Sequence, residues 1–321
     1  MSDEENRNFA QRLRLSVAEG AKKSAGTSWF LLKIMVPVSL VVALLGWSGA
    51  LAVIARWLSP LMGLLGLPGE AALVFISGAL LNNYSAIAVM GGLALSMRDV
   101  TILAVMCLIS HNLLVETTVM KKTGSSALKM ALLRIGTALV AAFLLNLILP
   151  QSLADRPFSS ASATSRLEFW QMFGSWAVST FSMIVKIMLF VLAIMIVQRI
   201  FEEFHVMDFL SKLLAPLMKI LGLPREASFL WIVINVVGYA YGAGIIVAEC
   251  ESGRMKKQDA DLFNHHAAIS HSIMEDTLLY LAISVPLVWL LVPRLVLSLA
   301  VVWLERGRRH FFRKSFRVGT M

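Results

Sequence analysis

The chain has 321 residues, 58% of them hydrophobic and 15% charged, with a formal net charge of +9 and a mean hydropathy of +0.74. Ordinary globular domains are far more polar, so the long apolar runs need lipid, and the surplus of lysine and arginine flanking them reads as topology signals and headgroup contacts. No RNA- or DNA-reading motif accompanies the charge, and nothing resembles a P-loop, a nucleophile elbow or a metalloprotease helix, so neither a nucleic-acid partner nor an enzyme is expected.

In chain order, residues 1–28 form a polar segment carrying Arg12, Arg14, Lys22 and Lys23, unlike a secretory signal. Phe9, Leu13 and Val17 recur every four residues and give it one apolar stripe, as an interfacial helix would have. Phe30 to Ala55 follows as an apolar run of spanning length, and then a short amphipathic helix closed by Gly66-Leu67-Pro68. Leu73 to Leu95 is apolar except for Asn82-Asn83-Tyr84-Ser85 at its middle. A helix bearing Ser110-His111 and Glu116 comes next, then the spanning run Ala127 to Pro150, and a Ser-rich seam over 151–168.

The same order then repeats. Met183 to Val197 is a spanning run, an amphipathic helix ends at Gly222-Leu223-Pro224, and Phe229 to Ala248 is interrupted by Asn235 and by the Gly-rich stretch 238–244. A second helix carries Ser270-His271 and Asp276, Tyr280 to Leu304 is the last spanning run, and residues 306–321 are a basic tail. Segment 59–72 matches segment 215–228 at nine of fourteen positions with an offset of 215 − 59 = 156, and Ile109 to Thr117 matches Ile269 to Thr277 with an offset of 269 − 109 = 160. The fold expected is therefore an all-α polytopic membrane protein of two repeats, 29–150 and 169–305, each with three spanning helices and one re-entrant or broken helical hairpin.

The broken segments decide the orientation. Polar or Gly-rich backbone at membrane depth is tolerated only where it lines a cavity or is buried in protein. If each returns to the side it entered from, every unit crosses three times and the second unit is turned over. That arrangement keeps Lys121, Lys122, Lys129, Arg134, Lys212, Lys219, Arg225, Arg254, Lys256, Lys257 and the cluster from Arg306 to Arg317 on the cytoplasmic side with both termini. It leaves Arg56, Arg98, Arg156 and Arg166 outside, whereas full spans would export two of the basic groups. Inverted repeats with broken helices are the plan of many secondary transporters, with the solute site at the breaks.

Polar groups inside apolar helices cost a few kcal/mol each, so their positions carry information. Asn112 with Glu116, Ser272 with Asp276, and His271 with Glu275 stand four residues apart, on shared helix faces. With His111, these acids are expected to build a central site for a cation, a proton or a polar solute; the alternative is that they hold the hairpins in register. Asn82, Asn83, Ser85, Asn235, Tyr239 and Tyr241 are hydrogen-bonding groups at the breaks, suited to a polar solute or to freed backbone groups. Glu249 is either a ligand or an interfacial acid, and His265, His266, His271 and Glu275 are the candidates for a metal ion. Cys107 and Cys250 have no metal or redox spacing and read as packing residues.

The Gly-Leu-Pro-x-Glu corners, the Asn- or Gly-rich break after each, and the Ser-His-x-acid helices resemble the nucleoside-recognition or gate domain family. It includes spore maturation proteins A and B and the membrane part of ferrous iron transporter B. The likeness covers both halves, as if two gate units were fused, in a plan similar to concentrative nucleoside transporters. The gate-segment cysteine of the iron-transport relatives is absent from both breaks, which speaks against ferrous iron. The resemblance implies nucleoside handling; together with the buried acids it leads to the expectation of a secondary transporter or permease for a small polar or anionic solute, coupled to protons or sodium through Glu116 and Asp276. The competing reading is a non-transporting membrane protein that assists an envelope or lipid-related process. No resident cofactor is expected beyond a bound proton, sodium or divalent cation; membrane lipids, a small polar solute and a second copy of the chain are the expected partners, and the bacterial inner membrane the expected location.

Overall fold

The computed structural model describes residues 8–158, 168–236, 238–239, 246–247 and 255–318. Among them the chain is all-helical, with one isolated bridge between Ser96 and Pro157 and no sheet. The first half comprises α1 (Phe9–Trp47), α2 (Ala50–Leu64), α3 (Ala71–Leu80), α4 (Asn83–Gly91), α5 (Met97–Ser110), α6 (Leu113–Lys122) and α7 (Ala127–Ile148). The second comprises α8 (Phe169–Glu203), α9 (Val206–Ile220), α10 (Ser228–Val236), α11 (Lys257–Ala267), α12 (Ile273–Ala282) and α13 (Leu287–Val318). Among the described residues four segments are long and apolar enough to cross a membrane: Met97–Lys122, Ala127–Ile148, Phe169–Glu203 and Leu287–Phe311.

α1 and α8 pack along each other in opposite directions. Arg12 bonds Glu203, Gly20 lies against Ile196, Trp176 donates to Ser39, and Trp47 stacks edge-on against Phe169. Gly20 permits this contact, because a Cβ there would lie 2.7 Å from Ile196 Cα and 2.9 Å from the Met195 carbonyl oxygen. The helix runs unbroken through residue 28, so the expected surface segment is its first turns. It stops at Trp47, where Gly49 takes a left-handed conformation, and the run Phe30 to Ala55 is therefore two helices.

The two Gly-Leu-Pro corners are Schellman caps, as their residue types require. Gly66 (φ 70°) and Gly222 (φ 72°) are left-handed. Leu67 N donates to Met62 O and Gly66 N to Gly63 O, matched by Leu223 N to Met218 O and Gly222 N to Lys219 O.

The helices expected to bear Ser-His whole are each broken at that motif. α5 ends at Ser110 and α6 starts at Leu113, with Asn112 left-handed at φ 49°; α11 ends at Ala267 and α12 starts at Ile273, with Ser272 at φ 49°. A left-handed non-glycine residue costs about 1–2 kcal/mol. Each break is held by the preceding broken segment: Asn112 N donates to Gly78 O of α3, and Ser272 N to Ile234 O of α10. The final run, Tyr280 to Leu304, is also divided, by Ser284 at φ 70° and Pro286, before α13.

Candidate functional site

At the two Ser-His breaks a ring of ionisable side chains meets inside the fold. His111, Glu116, His271 and Asp276 are all buried there, and the imidazole rings lie 5.1 Å apart, centroid to centroid. His111 Nε2 is 3.4 Å from Glu116 Oε1 and 3.3 Å from Asp276 Oδ2, while His271 Nε2 is 3.3 Å from Glu116 Oε2. Each ring is fixed by its other nitrogen, His111 Nδ1 on Cys107 O at 3.0 Å and His271 Nδ1 on Ala267 O at 2.6 Å. A carbonyl only accepts, so both Nδ1 atoms carry the proton.

Two buried arginines frame this ring. Arg134 of α7 donates through Nε to Ile109 O at 2.8 Å and through Nη2 to His111 O at 2.7 Å, and its Nη1 is 2.7 Å from Glu116 Oε2. Arg294 of α13 stands at the same place in the second half, donating to His271 O and, at 3.3 Å, to Thr277 Oγ1. Each guanidinium thus satisfies carbonyls that the break deprives of helical donors. The sequence reading counts Arg134 as a cytoplasmic topology charge and gives Arg294 no role; both are corrected, since neither side chain reaches water. The available signal is a lone arginine within an apolar run, repeated at 294 − 134 = 160, the spacing of the Ser-His motifs. Arg98, expected outside, is likewise buried, and donates to the backbone and side-chain oxygens of Asn146 at 2.6 and 2.7 Å.

The residues expected at the first interrupted segment divide by role. Asn82 caps α4, accepting from Ser85 N at 2.9 Å and Ser85 Oγ at 3.1 Å. Asn83 accepts from Tyr280 OH of the other half at 3.1 Å, and its Nδ2 has no hydrogen-bond partner among the described residues. Tyr84, which the sequence reading passes over, donates to Glu275 Oε1 at 3.2 Å. In the second interrupted segment Asn235 Nδ2 bonds Trp231 O at 2.8 Å, leaving its Oδ1 without a hydrogen-bond partner among the described residues. Tyr239 donates to Asn264 at 3.1 Å and lies with its ring 5.5 Å from that of His271. Tyr241, Glu249 and Cys250 lie outside the described residues.

The four residues singled out for a metal are not brought together. His266 Nε2 accepts from Trp231 at 2.8 Å, Glu275 turns to Tyr84, and His271 turns to Glu116. His265 lies in a separate network with Asp261 and Glu305, where Glu305 takes Arg308, Arg309 and Lys129, and Asp261 takes Arg309 and Ser125. The reason is the break: with Ser272 left-handed, α11 and α12 are not one continuous helix, and their i,i+4 faces do not align. Among the described residues two compact groups of possible ligands remain, His111 with His271 and Asp276, and Asp261 with His265 and Glu305.

Comparison with known proteins places these observations in a family. The model described as Gate, nucleoside recognition, matches residues 28–126 and 184–285. An uncharacterized membrane protein of Bacillus subtilis (strain 168), YvoD, is 32% identical over 265 residues, which is 82% of this chain and 85% of that protein. No solved structure matches the chain.

Proposed function

The chain belongs to the gate, or nucleoside-recognition, family of membrane proteins, and we propose that it is a permease for a small polar or anionic solute, with nucleosides the first class to test. The reading is carried by one observation: breaks from both halves converge on a buried ring of two imidazoles, two carboxylates and two guanidiniums. Charged groups inside membrane segments cost about 2.5–3.5 kcal/mol each on insertion scales and mark ion and solute paths.

In this reading the halves 29–150 and 169–305 are inverted repeats, joined by 151–168, with 1–28 and 306–321 on the cytoplasmic side of a bacterial inner membrane. Support comes from ion pairs that a non-inverted arrangement would place on opposite membrane faces. Arg12 lies 2.8 Å from Glu203, and Lys129 lies 3.3 Å from Glu305. With broken segments as full spans, Arg12 and Glu305 would be cytoplasmic while Glu203 and Lys129 would be exported. The antiparallel course of α1 and α8 supports the same relation.

Coupling to protons or sodium is assigned to Glu116 and Asp276 together with Glu275. Glu116 has Arg134 against it, which suits a positioning role, whereas Asp276 faces His111 at 3.3 Å and Glu275 bridges to Tyr84 of the other half. The pairing of Glu116 with Arg134 also fits the second reading, a non-transporting protein of the envelope in which the ring is structural.

Uptake into proteoliposomes separates the two. A cation gradient is expected to drive entry of a nucleoside or another small polar solute, and Asp276→Asn and Glu275→Gln to abolish the gradient dependence while leaving a folded protein. Absence of flux for every solute class tried, with intact folding, would favour the envelope reading.

A further inference from the structure

We propose that His111, His271 and Asp276 form a binding site for a first-row divalent transition metal at the centre of the fold. Both Nδ1–H groups are spent on backbone carbonyls, Cys107 O and Ala267 O, so each ring in its neutral form presents a bare Nε2 lone pair to the carboxylates at 3.3–3.4 Å. Acceptor faces acceptor, in a buried place where such repulsion is poorly screened. His271 Nε2 and Asp276 Oδ2 are buried and have no hydrogen-bond partner among the described residues.

The spacing fits a metal better than a proton. An N–H···O bond has a usual length of about 2.9 Å, shorter than the 3.3 Å between His111 Nε2 and Asp276 Oδ2. Ligands at roughly 2.0–2.1 Å from a tetrahedral ion are about 3.3 Å apart along the edge of the tetrahedron. Nε2 of both histidines and one Asp276 oxygen all lie within 4.8 Å of one another. A carbonyl on the far nitrogen of each imidazole is also the arrangement that orients metal-ligating histidines. Two imidazoles and one carboxylate are donors for zinc, iron, cobalt or manganese rather than for sodium or magnesium.

Glu116 is held by Arg134 at 2.7 Å, whereas Asp276 has His111 as its ion-pair partner among the described residues. The other cluster differs in its acids: the carboxylates of Asp261 and Glu305 are already taken by Arg308, Arg309 and Lys129, which leaves His265 Nε2 as an acceptor without a hydrogen-bond partner among the described residues.

The assignment rests on the reading of the converging breaks as an ion centre, and it is tested without a transport measurement, so either can fail alone. Full-length protein in detergent, stripped with chelator, is titrated with Co2+ and followed by its visible absorption. One Co2+ per chain is expected, displaced by Zn2+. Asp276→Asn and His271→Gln should each weaken binding by more than the roughly 10–100-fold that loss of an outer-shell partner costs, and His265→Gln should leave it unchanged. X-ray absorption of the Co2+-loaded wild type should show two imidazole ligands, a readout that stands even where a variant does not fold. Wild-type protein that retains no Co2+, a spectrum without imidazole, or binding lost only in His265→Gln would overturn the site.

Discussion

Replacing Arg134 with leucine should be among the most damaging single changes in the chain. Its guanidinium serves two backbone oxygens, Ile109 O at 2.8 Å and His111 O at 2.7 Å, and lies 2.7 Å from the Glu116 carboxylate. Leucine would strand a buried carboxylate, which costs about 3–5 kcal/mol, and two buried carbonyls at about 1–3 kcal/mol each. These losses share one neighbourhood and do not add, so a net loss of about 5 kcal/mol is expected. That is a large part of the roughly 5–15 kcal/mol that holds a domain folded. At about 2 °C per kcal/mol the melting temperature in detergent should fall by about 10 °C. Adding Glu116→Leu to Arg134→Leu removes the stranded charge and should recover part of the loss, whereas Glu116→Leu alone strands the guanidinium. A melting temperature for Arg134→Leu within about 2 °C of wild type, or no recovery in the double variant, would refute the ion pair as described.

Other expectations concern backbone contacts and the bridge between halves. Gly20→Ala should destabilise by about 1–3 kcal/mol, because its Cβ would press on the α8 backbone. Gly26→Ala in the same helix meets nothing within 4 Å and should stabilise by up to about 1 kcal/mol; thermal melts read both signs. Gly222→Ala forces a side chain into the left-handed region at φ 72° and should cost about 1–2 kcal/mol, whereas Gly136→Ala, in open space inside α7, should stabilise by up to about 1 kcal/mol. Tyr84→Phe removes the hydrogen bond to Glu275, and its loss of about 1.5 kcal/mol should shrink when Glu275→Gln is already present, as a double-mutant cycle would show.

Much of this architecture is legible in the sequence because it is written twice. The Gly-Leu-Pro corners announce their left-handed caps by residue type, and both are found as Schellman turns. His111, Glu116, His271 and Asp276 stand out as costly groups in apolar surroundings, and they do meet. The breaks within the Ser-His motifs are hidden, since Asn112 and Ser272 are left-handed without glycine, held there by carbonyls of α3 and α10 remote in sequence. The same cause misleads the i,i+4 metal pairing of His271 with Glu275. Arg134 and Arg98 look like interfacial charges because a positive-inside count treats every arginine alike; only tertiary partners distinguish a buried guanidinium from a flanking one.

The claim on which the rest depends is that the two halves are inverted, so that their breaks face one centre. It is tested most directly by Arg156→Cys and Lys256→Cys, each placed at an exposed position in a chain without other cysteines, and labelled in intact cells with a membrane-impermeant maleimide. The inverted arrangement predicts that Arg156→Cys is labelled from outside and Lys256→Cys only after the membrane is opened. If both are reached from the same side, the halves are not inverted.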